Sequence, residues 1–161
     1  MKEYIHNDAK LKEKDINQEE SLVKVLLTKD DSVCVTYNQR YYDFVGVKTE
    51  KNESFDDAIK RIFRDSFSIS IPGDSIPSYS YSSKCYLKDY PNRNKNSVIN
   101  VYYYLIPLED KTYNSSDSLE FIVDNIDSVI DKFTSNIPPM KLNKYIYNDE
   151  LDILKEYKDN H

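Results

Sequence analysis

Between Ser21 and Val47 the apolar residues fall in three short runs, about 21–29, 32–38 and 41–47, separated by Asp30-Asp31 and by Asn38-Gln39. Runs of this length, rich in Val, Leu and Tyr and broken by turn-forming pairs, predict a meander of β-hairpins. The period then changes. Phe55, Ala58, Ile59, Ile62 and Phe63 recur at spacings of three and four, the signature of one helical face, with Ser54 as N-cap and Asp57 in the third helical position. A helix over about 54–67 follows from that spacing. The stretches "SIPSYSYSSKCYLKDY" and "NSVINVYYYLIPLE" alternate or run with β-branched and aromatic residues and are joined by "PNRNKN", which predicts a long hairpin. "LEFIV" reads as a further strand. "NIDSVIDKF" returns to helical spacing through Ile126, Val129, Ile130 and Phe133, and "DELDILKEY" does so through Leu151, Leu154 and Tyr157. Strands, helix, strands and helices in that order predict an α+β fold, an α/β/α-like sandwich with a mixed sheet packed between helices.

Composition narrows the class. The chain has 161 residues and a mass of 19.0 kDa, about the size of one domain with one core. Residues 1–19 carry charge with little apolar periodicity and read as a tail or short docked helix, leaving 20–161 as a single domain. Fifteen Tyr and six Phe supply ample material for a folded interior. The net charge of −6 and pI near 5.0 disfavour broad clamping of nucleic acid, and no DNA partner is expected, but a local basic patch remains compatible with that balance. Cys34 and Cys85 lie far apart in strand-like runs without metal-ligand spacing, so reduced core thiols are expected, and with them an intracellular, cytoplasmic setting. No apolar run of membrane-spanning length is present, so no membrane partner is expected. His6 and His161 sit near the ends of the chain and no Ser/His/Asp or Cys/His constellation is visible.

The stretch "GVKTEKNESFDDAIKRIFRDSFSISI", Gly46 to Ile71, resembles the signature of the Nudix superfamily: glycine, five residues, Glu, seven residues, then Arg-Glu-apolar-x-Glu-Glu-x-Gly-apolar. Glu53 falls on the first glutamate, "SFDDAIK" separates it from Arg61, Phe63 takes the apolar position after the arginine and Ile69 the last apolar one. The spacing is kept while several identities are not. Gly46 stands one place early, because the usual position is Val47, and the glycine beyond the helix is Ser68. The resemblance extends loosely over residues 20–158 and implies the Nudix sandwich of sheet and helices.

It also implies where metal would bind. In typical members three glutamates of the helix coordinate Mg²⁺ or Mn²⁺ beside a diphosphate; the matching positions here are Ile62, Asp65 and Ser66, spaced i, i+3 and i+4 and hence expected on one side of the helix. Hard divalent cations need oxygen ligands, so Asp65 alone remains as a candidate ligand. Glu50, Glu109 and Glu120 are the acids that could be imported to rebuild a shell around it. On this register Ile62→Glu with Ser66→Glu should restore metal affinity. By resemblance Glu53 and Arg61 pair to tie the loop to the helix, with Gly46 in the same structural box. Framework retained and ligands lost is the pattern of a pseudo-enzyme that needs no cofactor.

Candidate binding residues lie further on. Lys84, Lys88, Arg93 and Lys95 cluster with Tyr86 and Tyr90 in "SSKCYLKDYPNRNKNS", where cations can meet phosphates and rings can stack on bases. The same stretch also reads as a solvated hairpin tip. In "VYYYLI" alternation puts Tyr102 and Tyr104 on one face and Tyr103 on the other, so one set lines either the core or a ligand cleft. Three functions follow: a catalytically degenerate Nudix-like module binding a nucleotide, RNA or a ribonucleoprotein partner; a diverged hydrolase of nucleoside diphosphate derivatives, with Mg²⁺ or Mn²⁺; or a scaffold for a protein partner.

Overall fold

The computed structural model describes residues 2–67, 76–107 and 119–160. Among the described residues eight strands, β1 (Lys2–His6), β2 (Gln18–Lys29), β3 (Ser32–Tyr37), β4 (Tyr42–Asp43), β5 (Val45–Lys48), β6 (Tyr81–Leu87), β7 (Ser97–Pro107) and β8 (Glu120–Asn125), form one mixed sheet. The helices are α1 (Phe55–Phe67), α2 (Ile126–Thr134) and α3 (Lys141–Asp159). The main path runs β1-β6-β7-β2-β3-β4, with β5 added to β2 and β8 to β3. This is the expected α+β sandwich: α1 covers one face of the sheet and α2 with α3 cover the other.

β2 is the axis of the sheet. Along one edge it pairs in parallel with β7 from Gln18↔Ser97 to Thr28↔Pro107. Its other edge is shared, residues 22–25 pairing with β5 and 27–29 with β3. A strand covered on both faces reads as a near-continuous apolar run, and period-two alternation sends Val23, Val25 and Leu27 toward α1 and Leu26 toward α2 and α3. Lys24 interrupts that run and faces the α3 side. Its Nζ donates to Asp43 and to Glu150 Oε2, the latter at 2.8 Å, and the Glu150 side chain also accepts the Phe44 N–H at 2.9 Å. Burial and the neighbouring Asp43 push the Glu150 carboxyl well above its ordinary range, against the pull of Lys24.

The helices follow the sequence cues, with one extension. Ser54 Oγ accepts from Asp57 N at 3.1 Å, the expected cap of α1. Asn125 caps α2 by accepting from Asp127 N at 2.9 Å. α3 begins eight residues before the predicted segment, because Tyr145, Ile146 and Tyr147 pack into the core together with Ile153, Leu154 and Tyr157.

The N-terminal expectation is corrected. Lys2–His6 is a strand of the sheet, pairing in parallel with β6, rather than a charged tail or a short helix. Its inward residues make polar contacts with α3: Lys2 Nζ to Asp152 at 2.7 Å, Tyr4 Oη to Asp152 at 2.6 Å and His6 Nε2 to Asp149 at 2.9 Å. A strand whose buried side is polar leaves no apolar alternation to read.

Cys34 and Cys85 are free and buried, and burial pushes both thiols up to about 12. The folded state therefore keeps protons that the unfolded chain releases above pH 9, and the stability held below that pH is lost as pH rises from 9 toward 12. Two such groups predict a loss of about 2–3 kcal/mol per pH unit inside that window. Urea unfolding at a series of alkaline pH values checks the slope; a stability that stays flat to pH 11 would refute it. No helix among the described residues is long and apolar enough to cross a membrane.

Candidate functional site

The loop and helix that carry the signature are braced as expected. Arg61 Nε donates to Glu53 Oε2 at 3.0 Å and Arg61 Nη2 to Glu53 Oε1 at 2.9 Å, a two-pronged pair. The same guanidinium donates to the Lys48 carbonyl at 2.9 Å, and Glu53 also accepts the Glu50 N–H at 3.0 Å. Arg61, then the Glu50 N–H, hold the Glu53 carboxyl below its usual range. One pair thus ties the end of β5, the following loop and the second turn of α1 together. Gly46 serves a different need. A Cβ there would lie 2.7 Å from Lys24 Cγ and 2.8 Å from the Val23 carbonyl oxygen, so the glycine makes room for the lysine stem that reaches Glu150.

The three ligand positions do not form one solvent-facing set. Ile62 is fully buried on the α1 side, in a cluster with Val23, Val25, Ala58, Ile59 and Phe63. In the helical arc Ile62 lies between Asp65 and Ser66, so the middle position points into the core and the other two flank it. Asp65 has 60% of its side chain exposed and accepts from its neighbour Arg64 Nε at 3.0 Å, while Ser66 is half-buried. The three positions share one arc of the helix, as their spacing predicts, and its middle position, Ile62, is a hydrophobic anchor. Of the acids that could be imported, Glu50 is 72% exposed and 4.0 Å from Arg61 Nη1, Glu120 is exposed on β8 opposite Tyr37, and Glu109 lies outside the described residues, as do Ser68 and Ile69. Among the described residues no group of three His, Cys, Asp or Glu side chains is placed to hold a metal ion. The donor set on α1 does not fit a multi-carboxylate Mg²⁺ or Mn²⁺ site.

The aromatic candidates divide between the two faces. Tyr102 and Tyr104 do share the α1 face, and Tyr103 faces α3, where it is buried edge-on to Phe44 at 6.0 Å. Tyr104 is 3% exposed and belongs to the core, which removes it as a binding residue. Tyr102 is half-buried, its ring 4.5 Å from Phe55 and 5.0 Å from Tyr79. Lys84 and Tyr86 stand on β6 at alternate positions, opposite Asn100 and Val98 of β7. By alternation they share the Tyr102 face, because Ser83, Cys85 and Leu87 turn toward α3. Lys84 acts on the Tyr102 phenol, as do Glu19 and Glu3, although burial is the main cause of its raised pKa. Asn100 Nδ2 donates to Glu19 at 2.8 Å. Tyr90 is corrected: its ring packs against the α3-side core rather than beside Tyr86. Lys88, Arg93 and Lys95 are exposed in the β6–β7 turn.

Residue reading missed the Lys24, Asp43 and Glu150 centre and the polar attachment of β1. A lysine inside "SLVKVLL" was the available signal, since a charge in a two-sided buried strand needs a buried partner.

No protein-family model matches the chain, and no curated protein matches it. Solved structures do. The ORF135 protein of E. coli is 16% identical with a TM-score of 0.54, over 71% of this chain and 79% of its own. A mutator MutT protein from Bacillus halodurans is 14% identical with a TM-score of 0.56, over 82% of each chain. The dihydroneopterin triphosphate pyrophosphohydrolase of E. coli is 10% identical with a TM-score of 0.52, over 83% of this chain and 96% of its own. At these identities the likeness concerns architecture alone: the chain has a Nudix-like fold.

Proposed function

We propose that the protein is a binding module on a Nudix-like fold, taking a nucleotide, RNA or a ribonucleoprotein partner without hydrolysing it. The observation that carries this reading is Ile62, which spends the central ligand position of the signature on core packing. Around it the Glu53–Arg61 brace persists, as expected where a frame is kept for binding. The surface offered to a ligand is the part of the sheet beside α1, with Lys84, Tyr86 and Tyr102, continued by Lys88, Arg93 and Lys95. Cations there meet phosphates and half-buried rings stack bases. Buried free thiols suit a reducing, cytoplasmic setting.

A second reading is a diverged hydrolase in which exposed Asp65 and an acid such as Glu109 hold Mg²⁺ or Mn²⁺; its support is that the dihydroneopterin triphosphate neighbour is named as a pyrophosphohydrolase. Fluorescence anisotropy with labelled oligouridylate and with a labelled nucleotide, in EDTA, separates the readings. The binding module binds without metal, and Lys88→Ala with Arg93→Ala removes two phosphate contacts, lowering the slope of log K against log salt by about 1.4. Binding that requires Mg²⁺ and ends in cleavage would establish the hydrolase. A partner captured independently of both salt and these residues would establish a protein scaffold.

A further inference from the structure

The connector between β1 and β2 packs on the tip of the β6–β7 hairpin. Asn17 Nδ2 donates to the Asn94 carbonyl at 2.9 Å, and Asn96 N donates back to Asn17 Oδ1 at 2.9 Å. Asn96 Nδ2 reaches the Asp15 carbonyl at 3.2 Å, and Asn17 N donates to the Asn96 carbonyl at 3.0 Å. A single 3-10 turn, Glu13–Asp15, is thereby held against the hairpin, with Lys12 and Lys14 exposed on it. Lys12, Lys14, Lys88, Arg93 and Lys95 consequently lie at one end of the molecule, and none has an ion-pair or hydrogen-bond partner for its charged group among the described residues. The acids of the same segments are Asp8, Glu13, Asp15 and Asp89; Asp8 accepts from Tyr145 Oη at 2.5 Å, and the Asp15 carboxylate accepts the Lys12 backbone N–H at 2.9 Å. A basic end stands on a chain whose net charge is −6.

That end continues onto the sheet. Lys84 and Tyr86 stand two residues apart on the Tyr102 face of β6, and Lys88 follows as the first residue beyond the strand, so a cation and a ring on β6 lead from the tip toward Tyr102. Toward Tyr102 the charge changes sign: Glu19 and Glu3 act on its phenol, and Asn100 is bonded to Glu19. Acceptors and a ring at one end and bare cations at the other suit a ligand that carries base edges and phosphates at separate places along an extended chain. A lipid surface offers the anions but no use for the acid-lined rings.

We propose that the connector lysines Lys12 and Lys14 join the hairpin tip in a phosphodiester-binding end for single-stranded RNA, whose following bases lie along β6 toward Tyr102. The inference rests on the binding-module reading above and makes its ligand a strand rather than a mononucleotide. It adds the 7–17 connector, a segment outside the candidate hairpin.

The test uses the full chain in EDTA with three probes: oligouridylate, the deoxy oligonucleotide of the same length, and uridine triphosphate. Lys12→Ala with Lys14→Ala should lower the salt slope for oligouridylate by about 1.4, leave uridine triphosphate binding unchanged, and exceed any effect of Lys144→Ala with Lys155→Ala on the exposed side of α3. Equal losses in the two double variants would reduce the effect to general charge and overturn the inference. An unchanged slope in the connector variant, with the Lys88 and Arg93 variant weakened, would overturn it while leaving the binding module in place. Stronger binding to the deoxy strand, or to phosphatidylserine vesicles, would overturn the RNA assignment. Failure of the wild-type chain to bind any of the probes would overturn both readings.

Discussion

Lys24→Ala is expected to destabilise the fold by about 3–5 kcal/mol, because it removes one partner from a buried ion group. Lys24 is 5% exposed and Glu150 is fully buried. Without the ammonium, the Glu150 and Asp43 carboxylates face each other at a site that already pushes the Glu150 carboxyl upward. The change also empties the space over Gly46 that the lysine stem fills. Combining Lys24→Met with Glu150→Leu should cost less than Lys24→Ala, since Asp43 keeps 33% of its side chain in solvent and can be hydrated once its partners are apolar. Urea unfolding with a constant m-value measures both. A cost below about 1 kcal/mol for Lys24→Ala would place this pair with surface ion pairs and contradict its role as the tie between β2, β4 and α3.

The second large effect concerns Ile62→Glu. If position 62 were a vacated metal ligand, a glutamate there would be harmless and would help Mn²⁺ bind, most of all beside Ser66→Glu. With Ile62 fully buried among Val23, Val25, Ile59 and Phe63, the new carboxylate has neither water nor a cation, and the expected cost is about 3–5 kcal/mol with no gain in metal affinity. Burial raises the pKa of such a group, so the folded protein keeps a proton that the unfolded chain gives up near pH 4.3, and the deficit is smallest at about pH 4 and grows as pH rises. Urea midpoints for Ile62→Glu and wild type between pH 4 and 8 measure this. A variant as stable as wild type at pH 8 would mean that the side chain faces solvent.

These two residues also show what was legible in the chain. Sheet and helix alternation, the capped α1 and the common face of Tyr102 and Tyr104 were readable because each follows from local periodicity, and the Glu53–Arg61 brace because the resemblance of the signature implies it. The inward orientation of Ile62 was readable too, from its place in the apolar series Phe55, Ala58, Ile59, Ile62 and Phe63. Spacing relates positions 62, 65 and 66 to one another, but the rotation of the helix on its sheet is set by the whole apolar face, of which Ile62 is the middle. Tyr90 was misplaced because it lies in a turn where strand alternation has ended. β1 escaped notice because Lys2, Tyr4 and His6 meet carboxylates of α3, and a polar interface between distant segments leaves no periodic trace. The early start of α3 was hidden by its lower apolar contrast, where buried Tyr145 and Tyr147 flank Ile146.

The chain has a Nudix-like fold with the Glu53–Arg61 brace in place, and position 62 of α1, a metal-ligand position only by the resemblance of the signature, serves core packing. The most direct measurement is a calorimetric Mn²⁺ titration of the wild-type chain beside Asp65→Ala. The account predicts no saturable binding that depends on Asp65. Saturable Mn²⁺ binding that is abolished by Asp65→Ala would contradict it and give the chain back to the hydrolases.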